Sequence, residues 1–284
     1  VTNTVLVAGG GLVREGGVDA LREVVLRTDI GAFNTWTAKG LFPWDAPAHL
    51  GTIGLQERDV ELAELASFDD VVLVGVDTDE LSREQLSGVR WRDVSPGDLL
   101  SLDLPVLATP LERPALYGAL AAVCQPMYGD DTTPLNPARA AADLSRWRHP
   151  DGLPVVVCGD ADRAGFWLGR TFPTPWLGSI VLPATTVPGF AVTQAMLASR
   201  TRRFGIAVVG ALDDATTTIV ERARTLGVSM IVEVWSDDGP VRTADERGAA
   251  LDAAVASGGV SVIETSVRYS AVAELIEVAG RPIW

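Results

Sequence analysis

The chain has 284 residues, 47% of them hydrophobic, which is enough to bury the cores of two domains of ordinary size. Its formal net charge of −14 denies it the basic footprint that nucleic acid or an anionic membrane surface would require. No apolar run approaches the length of a membrane span, and the start VTNTVLVAGGG lacks the basic region, apolar stretch and cleavage site of a leader, so a cytoplasmic location is expected.

In chain order, residues 4–8 (TVLVA) read as a short strand buried on both faces, as in a parallel sheet covered by helices. The strand runs into Gly9, Gly10 and Gly11 and then a helix over 18–27, an arrangement in which backbone can approach a phosphate or ribose. The spacing is neither a dinucleotide fingerprint, whose third glycine would fall at Arg14, nor a P-loop, so a plain strand-to-helix turn stands as an equal reading. Residues 30–33 give a second buried strand. From Thr35 to Gly54 glycines and prolines argue against helix or strand, and a loop of that length is as a rule functional or disordered. Trp36, Phe42 and Trp44 supply the apolar mass to order it. A helix over 57–67 follows, then a strand over 71–75 with the polar exit Val76-Asp77-Thr78-Asp79, two strands over 89–94 and 104–108, and a helix over 112–123.

Residues 125–136 gather Gly, Pro, Asp and Thr and read as a linker. Asn136 before Pro137 is a helix start, opening a helix to about Trp147. Strands are expected over 154–158, 206–210, 230–235 and 260–265, separated by helices over 192–199, 214–226, 244–256 and 271–278. Thr243 with Glu246 fits a capping box, and Gly227 and Gly280 sit where helices end. The expected fold is α/β, with two tandem doubly wound parallel-sheet, Rossmann-like domains, residues 1–124 and 137–284, joined by the linker.

Side chains with intrinsic chemistry are few. Cys124 and Cys158 are too few for a disulfide framework, lack zinc-site spacing, and read as core thiols. Lys39 is the one lysine, beside 22 arginines, and His49 and His149 are the only histidines, about a hundred positions apart; His49 reads as structural, and His149, in RWRHP at a loop edge, reads as a surface residue. No nucleophile with a matching base can be argued, and no residue is assigned a catalytic role.

The segments VLVAGGGL, AFNTWTAKGLFPWDAPAHLGTIGLQERD, VVLVGVDTD, VRWRDVSPGDL and LPVLATPLERPALYGAL, in this order over about residues 4–123, resemble the central domain of thiamine-diphosphate-dependent enzymes of the acetolactate synthase and benzoylformate decarboxylase type. From Pro137 the likeness continues into that family's C-terminal diphosphate-binding domain, through PVVVCGDADRAGFW, ATTVPGFAVTQAMLAS and IAVVGALDDATTTIVERARTLGVSMIVEVWSDDG. The resemblance implies a third, pyrimidine-binding domain, which would precede Val1 and would supply the glutamate that activates the cofactor. It also implies thiamine diphosphate and Mg²⁺ as cofactors. The family's Gly-Asp-Gly falls at Gly210-Ala211-Leu212, and its Asn falls at Ser236 or Asp237. Asn3, Asn34 and Asn136 are the only asparagines, so a Gly-Asp…Asn metal site cannot be built in the second half. Two readings remain for Asp213, Asp214, Asp237 and Asp238: a metal held principally by Asp213 and Asp237, or helix capping and a solvated turn.

In the central domain, some family members hold FAD or an adenine nucleotide. The counterparts of the residues lining that groove are Gly9, Gly10, Gly11, Thr35, Gly75 and Asp93, while Gly210 marks the diphosphate site. The family's Gly-x-Arg after VVLVG is Gly75-Val76-Asp77 here, an anion in place of a cation. The expectation is a thiamine-diphosphate-enzyme homologue without the pyrimidine domain and without an intact metal motif, a subunit of a split enzyme or inactive on its own. The alternative is a non-catalytic module that binds ADP or FAD or another protein. Partners are expected to be further copies of the chain, or a separate pyrimidine-domain subunit, meeting the apolar stretch 177–192 (LGSIVLPATTVPGFAV).

Overall fold

A computed structural model describes residues 3–111 and 115–283. The chain forms two compact units: one runs as far as Val123 and takes in the segment from Ala273 onward, and the other is Cys124–Val272. The helix Ala115–Tyr128 carries the chain from the first to the second; the expected start of that helix at 112–114 lies outside the described residues.

The first unit is built on five parallel strands, β1 (Thr4–Ala8), β2 (Ala32–Thr35), β3 (His49–Ile53), β4 (Asp70–Val74) and β5 (Trp91–Val94), in the order β3-β2-β1-β4-β5. All five residues of β1 are buried, and β1 pairs on one side with β2, Val7 opposite Phe33, and on the other with β4, Leu6 opposite Val72. Burial on both faces is why the run TVLVA shows no polar alternation. The strand order reverses direction between β1 and β4, and ligands of open α/β sheets bind at such a point, beyond the carboxyl ends of the strands.

The second unit repeats the plan with β6 (Val155–Gly159), β7 (Ile180–Val181), β8 (Phe204–Val209), β9 (Met230–Ser236) and β10 (Val260–Ser266), in the order β10-β9-β8-β6-β7. All pairings are parallel, and the reversal lies between β6 and β8. The helices Phe190–Ser199 and Asp214–Thr225 cover one core of this sheet, where Ala191, Val192, Ala195, Val220 and Ala223 pack against Val156, Ala207, Val209 and Val232. Two doubly wound parallel sheets are what the sequence predicts.

Several elements differ from the sequence expectation. The stretch 35–54 contains β3, whose five residues are all buried; Gly51 and the flanking prolines mask it, and a fully buried strand needs no alternation. Residues 104–108 do not form a strand. Leu104 is buried and Leu107 N–H donates to the Thr28 carbonyl, but Val106 is 64% exposed. The linker expected from 125 is helical as far as Tyr128, with Pro126 inside the helix. The short helix Gly10–Arg14, the helix Arg163–Thr171 and strand β7 are further elements the pattern does not announce.

The closing segment is tied to the first unit through residues that follow β3. Gln56, fully buried, donates from Nε2 to the carbonyls of Leu275 (3.1 Å) and Gly280 (2.7 Å) at the end of the helix Val272–Ala279. Glu57 N–H and Arg58 N–H donate to Arg281 and Ala279 carbonyls, and Ile283 N–H to the Leu55 carbonyl. A buried amide with only apolar neighbours would be costly, so these carbonyls are what makes Gln56 tolerable in the core. No helix among the described residues is long and apolar enough to cross a membrane.

Candidate functional site

At the reversal point of the first unit, the exits of β1 and β4 press together. Gly9 N–H donates to the Val74 carbonyl (2.9 Å) and Gly11 N–H to the Gly75 carbonyl (2.8 Å). A Cβ on Gly75, whose φ is +60°, would lie 2.1 Å from the Leu12 nitrogen, and a Cβ on Gly9 would lie 2.4 Å from the Gly75 oxygen. The glycines are therefore required for backbone to pass backbone. The remaining donor, Gly10 N–H, reaches Oε2 of Glu80 (3.2 Å), which also accepts from Asp77 N–H (3.4 Å).

Glu80 is 1% exposed. Burial pushes its carboxyl up to about 7, against the opposing pull of the Gly10 N–H, the Thr35 hydroxyl and the Asp77 N–H, and with the Asp77 charge adding to the rise. Asp77 itself is bridged by Arg14, whose Nη2 lies 2.8 Å from Oδ2. The cation missing from Gly75-Val76-Asp77 thus arrives from the last residue of the short helix Gly10–Arg14. Thr35, at the end of β2, is fully buried beside this cluster. Asp93, on β5, is paired with Arg83 at 2.8 Å, and that guanidinium lies 4.9 Å above the Trp91 ring. A carboxylate of the chain itself holds the donor an anionic ligand would use.

The second unit shows the same arrangement at the reversal between β6 and β8. There a cavity of about 430 Å³ is walled by Asp160 and Asp162 after β6, Gly210 and Asp213 after β8, and Val187 and Pro188 before the helix Phe190–Ser199. Asp160 Oδ1 accepts from Ala191 N–H (2.8 Å) in the first turn of that helix. Asp162 caps the helix Arg163–Thr171 by accepting from Gly165 N–H (2.8 Å), and its second oxygen accepts from Gly210 N–H (2.6 Å). Burial raises the Asp160 carboxyl to about 6 and also raises Asp162; for Asp160 the negative charges of Asp162 and Asp213 add to the effect.

Asp213 caps the helix Asp214–Thr225 through Thr216 N–H at 2.7 Å, and the Thr216 contacts hold its carboxyl below the ordinary range. Asp237, after β9 and away from the reversal, faces Arg163 at 3.4 Å; Arg163 in turn stacks 3.8 Å over the Tyr269 ring. Asp213 and Asp237 are thus engaged separately. Among the described residues no group of three or more His, Cys, Asp or Glu is arranged to hold a metal ion. Ala211 and Leu212 bring no side-chain oxygen, and Leu212 is 41% exposed. These residues do not fit thiamine diphosphate with Mg²⁺, because the backbone donors at Ala191 and Gly210 already hold carboxylates, and a diphosphate placed there would meet like charge.

His49 belongs to β3 and is buried, with Nδ1 3.3 Å from the Trp44 carbonyl, and Lys39 lies 4.4 Å over the Trp44 ring. Cys124 and Cys158 are free and buried, and burial pushes the Cys158 thiol up, away from reactivity. Glu80, Asp160 and Asp162 have no counterpart among the sequence candidates. The usable signal was position alone, since each follows a buried strand at a reversal point.

Residues 2–97, the larger part of the first unit, match the family model described as thiamine pyrophosphate enzyme, central domain. No curated protein matches the chain. The match covers about a third of the chain and agrees with the parallel α/β architecture of the first unit.

Proposed function

We propose that this chain is a thiamine-diphosphate-enzyme homologue that does not hold the cofactor by itself and serves as a non-catalytic module or as one subunit of a split enzyme. The observation that carries the reading is the capture of Ala191 N–H by Asp160 and of Gly210 N–H by Asp162 at the reversal point of the second unit. A diphosphate needs such donors together with a metal held by side-chain oxygens. The position that should supply an oxygen is Ala211. The same logic speaks against ADP or FAD in the first unit, where Glu80 holds Gly10 N–H.

Thermal unfolding with thiamine diphosphate plus Mg²⁺, and separately with ADP or FAD, is expected to leave the midpoint unchanged. A ligand that bound the native state at a hundred times its Kd would add about 2.7 kcal/mol of apparent stability. An upward shift of several degrees with thiamine diphosphate would overturn the reading. A shift with ADP or FAD alone would favour the nucleotide-binding alternative.

The reading also includes self-association through the second unit. Of the stretch 177–192, Ile180, Leu182, Ala191 and Val192 are buried, which leaves Val187, 48% exposed, and the exposed Pro188 as its most accessible apolar residues, with Leu212 after β8, 41% exposed. Light scattering at micromolar concentration is expected to show a dimer or larger species. Val187→Asp combined with Leu212→Asp is expected to return it to monomer, because charge at the centre of an apolar contact is poorly tolerated. A monomer for the unaltered chain would end this part of the proposal.

A further inference from the structure

A second cavity in the Cys124–Val272 unit, of about 450 Å³, lies at the amino ends of β8 and β9, opposite the end that carries Asp160. We propose that it binds a phosphate group, free or as a monoester, between the guanidinium groups of Arg200 and Arg203 and the imidazole of His149.

This cavity keeps hydrogen-bond donors that the fold itself does not use. Arg200 ends the helix Phe190–Ser199 with its backbone, donating N–H to the Leu197 carbonyl at 3.1 Å, and its guanidinium makes no hydrogen bond or ion pair among the described residues. Arg203 immediately precedes β8; its guanidinium lies 5.8 Å over the Trp176 ring and is likewise without an acceptor. Of the nearby arginines that do not line the cavity, Arg148 donates to the Ser145 and Trp147 carbonyls and Arg224 pairs with Glu221. Two unpaired guanidinium groups on one cavity are notable in a protein of net charge −14.

His149 supplies a fixed third donor. The ring is not at the surface that its loop-edge position suggests: it is only 6% exposed, because it packs 4.6 Å from the Phe204 ring centre and 6.2 Å from that of Trp147. Its Nδ1 accepts from Asp151 N–H at 3.2 Å, so the neutral imidazole carries its proton on Nε2, which meets no acceptor among the described residues. Ser199 and Ser229 each accept through Oγ from a backbone N–H, of Gly205 at 3.0 Å and Gly259 at 3.2 Å, which leaves their hydroxyl protons free to donate. Among these lining groups Asp151 is the only carboxylate, and it is exposed. The carbonyl ends of two helices also approach the cavity, but they are partial charges already bonded to following backbone N–H groups, whereas the guanidinium groups carry full ones. Arginine forks, an imidazole N–H and hydroxyls match the oxygens of a phosphate group.

The test is calorimetric titration of the full chain with inorganic phosphate and, in parallel, with glycerol 3-phosphate, chloride being used to hold ionic strength constant. Saturable binding of either is expected, and tighter binding of the ester would identify a monoester as the occupant. Arg200→Gln with Arg203→Gln, at two exposed positions that leave the core untouched, is expected to weaken it by roughly a hundredfold, about tenfold for each charge-assisted contact. Asp160→Asn, at the far end of the strands, is expected to change nothing, which separates this cavity from the one at the β6–β8 reversal. Absence of binding by both probes, or affinity unchanged in the double arginine variant, would overturn the proposal.

Discussion

Glu80→Gln is expected to stabilise the protein by roughly 3 kcal/mol at pH 8 and by little at pH 4.5. The Glu80 carboxyl titrates near 7 in the folded chain against 4.5 for an ordinary glutamate, because burial and the Asp77 charge oppose ionisation more than the Gly10 and Asp77 N–H groups and the Thr35 hydroxyl favour it. Between those two values the folded state keeps a proton that the unfolded state has lost. Stability therefore falls as pH rises through this window, by about 1.36 kcal/mol for each pH unit, and the loss is complete once the folded carboxyl ionises. Glutamine keeps a carbonyl oxygen for Gly10 N–H and carries no charge at any pH. The charges facing the site are Asp77 and, bridged to it, Arg14, and neither changes in the variant. Urea unfolding from pH 4.5 to 8.5 should give curves that nearly meet at the acid end, draw apart steadily from about pH 5 to pH 7 and keep a constant offset above about pH 7.5. Asp160, raised to about 6, bends both curves alike and cancels in the difference. Parallel curves would show that Glu80 is not buried as a reluctant anion. Glu80→Ala, in contrast, is expected to destabilise, since it leaves Gly10 N–H without an acceptor.

The fold was legible because its strongest signals are local. Runs such as TVLVA in β1 and VVVC in β6 can only be strands buried on both faces, and Asn136 before Pro137 and Thr243 before Glu246 cap helices, as their spacing predicts. The strand HLGTI was hidden because burial on both faces removes alternation while glycine imitates a turn. The helix Arg163–Thr171 was hidden by its opening, DADRAG, yet Asp162 is an N-cap followed by buried Ala164, Trp167, Leu168 and Thr171 at helical spacing. The sites were less legible for a different reason. Carboxylates after strands read as solvated turns, and what makes Glu80 and Asp162 otherwise is a backbone donor 70 or 48 positions away. The metal reading looked to Asp213 and Asp237, after the neighbouring strands β8 and β9, whereas the order reverses between β6 and β8. Adjacency in the sheet was correct; the reversal point decides where carboxylates converge, and it emerges only from the pairing.

Arg247→Met is expected to cost about 3–5 kcal/mol, because it strands a carboxylate in the core of the second unit. Glu233, in the middle of β9, and Arg247, on the helix Ala244–Ser257, are 0% and 1% exposed and meet through two parallel bonds, Nε to Oε1 at 2.5 Å and Nη2 to Oε2 at 2.7 Å. The remaining valences are satisfied as well. Thr265 on β10 donates to Glu233 Oε1 at 2.6 Å, and Arg247 Nη1 donates to the Ala140 carbonyl at 2.7 Å. One pair thus joins two strands and two helices, with the Trp235 ring 5.8 Å from the guanidinium. A buried pair gains little over apolar residues of the same volume, since desolvation offsets most of the attraction, whereas removing one member leaves an uncompensated charge. Glu233→Met together with Arg247→Met should therefore recover most of the loss, short of the unpaired Thr265 hydroxyl and Ala140 carbonyl. Urea unfolding of both single variants and the double closes the cycle, with a coupling energy of about 2 kcal/mol or more expected. Single-variant losses below about 1 kcal/mol, the range of exposed pairs, would mean that water reaches this pair and that the helix Ala244–Ser257 is held to the sheet by apolar contact alone.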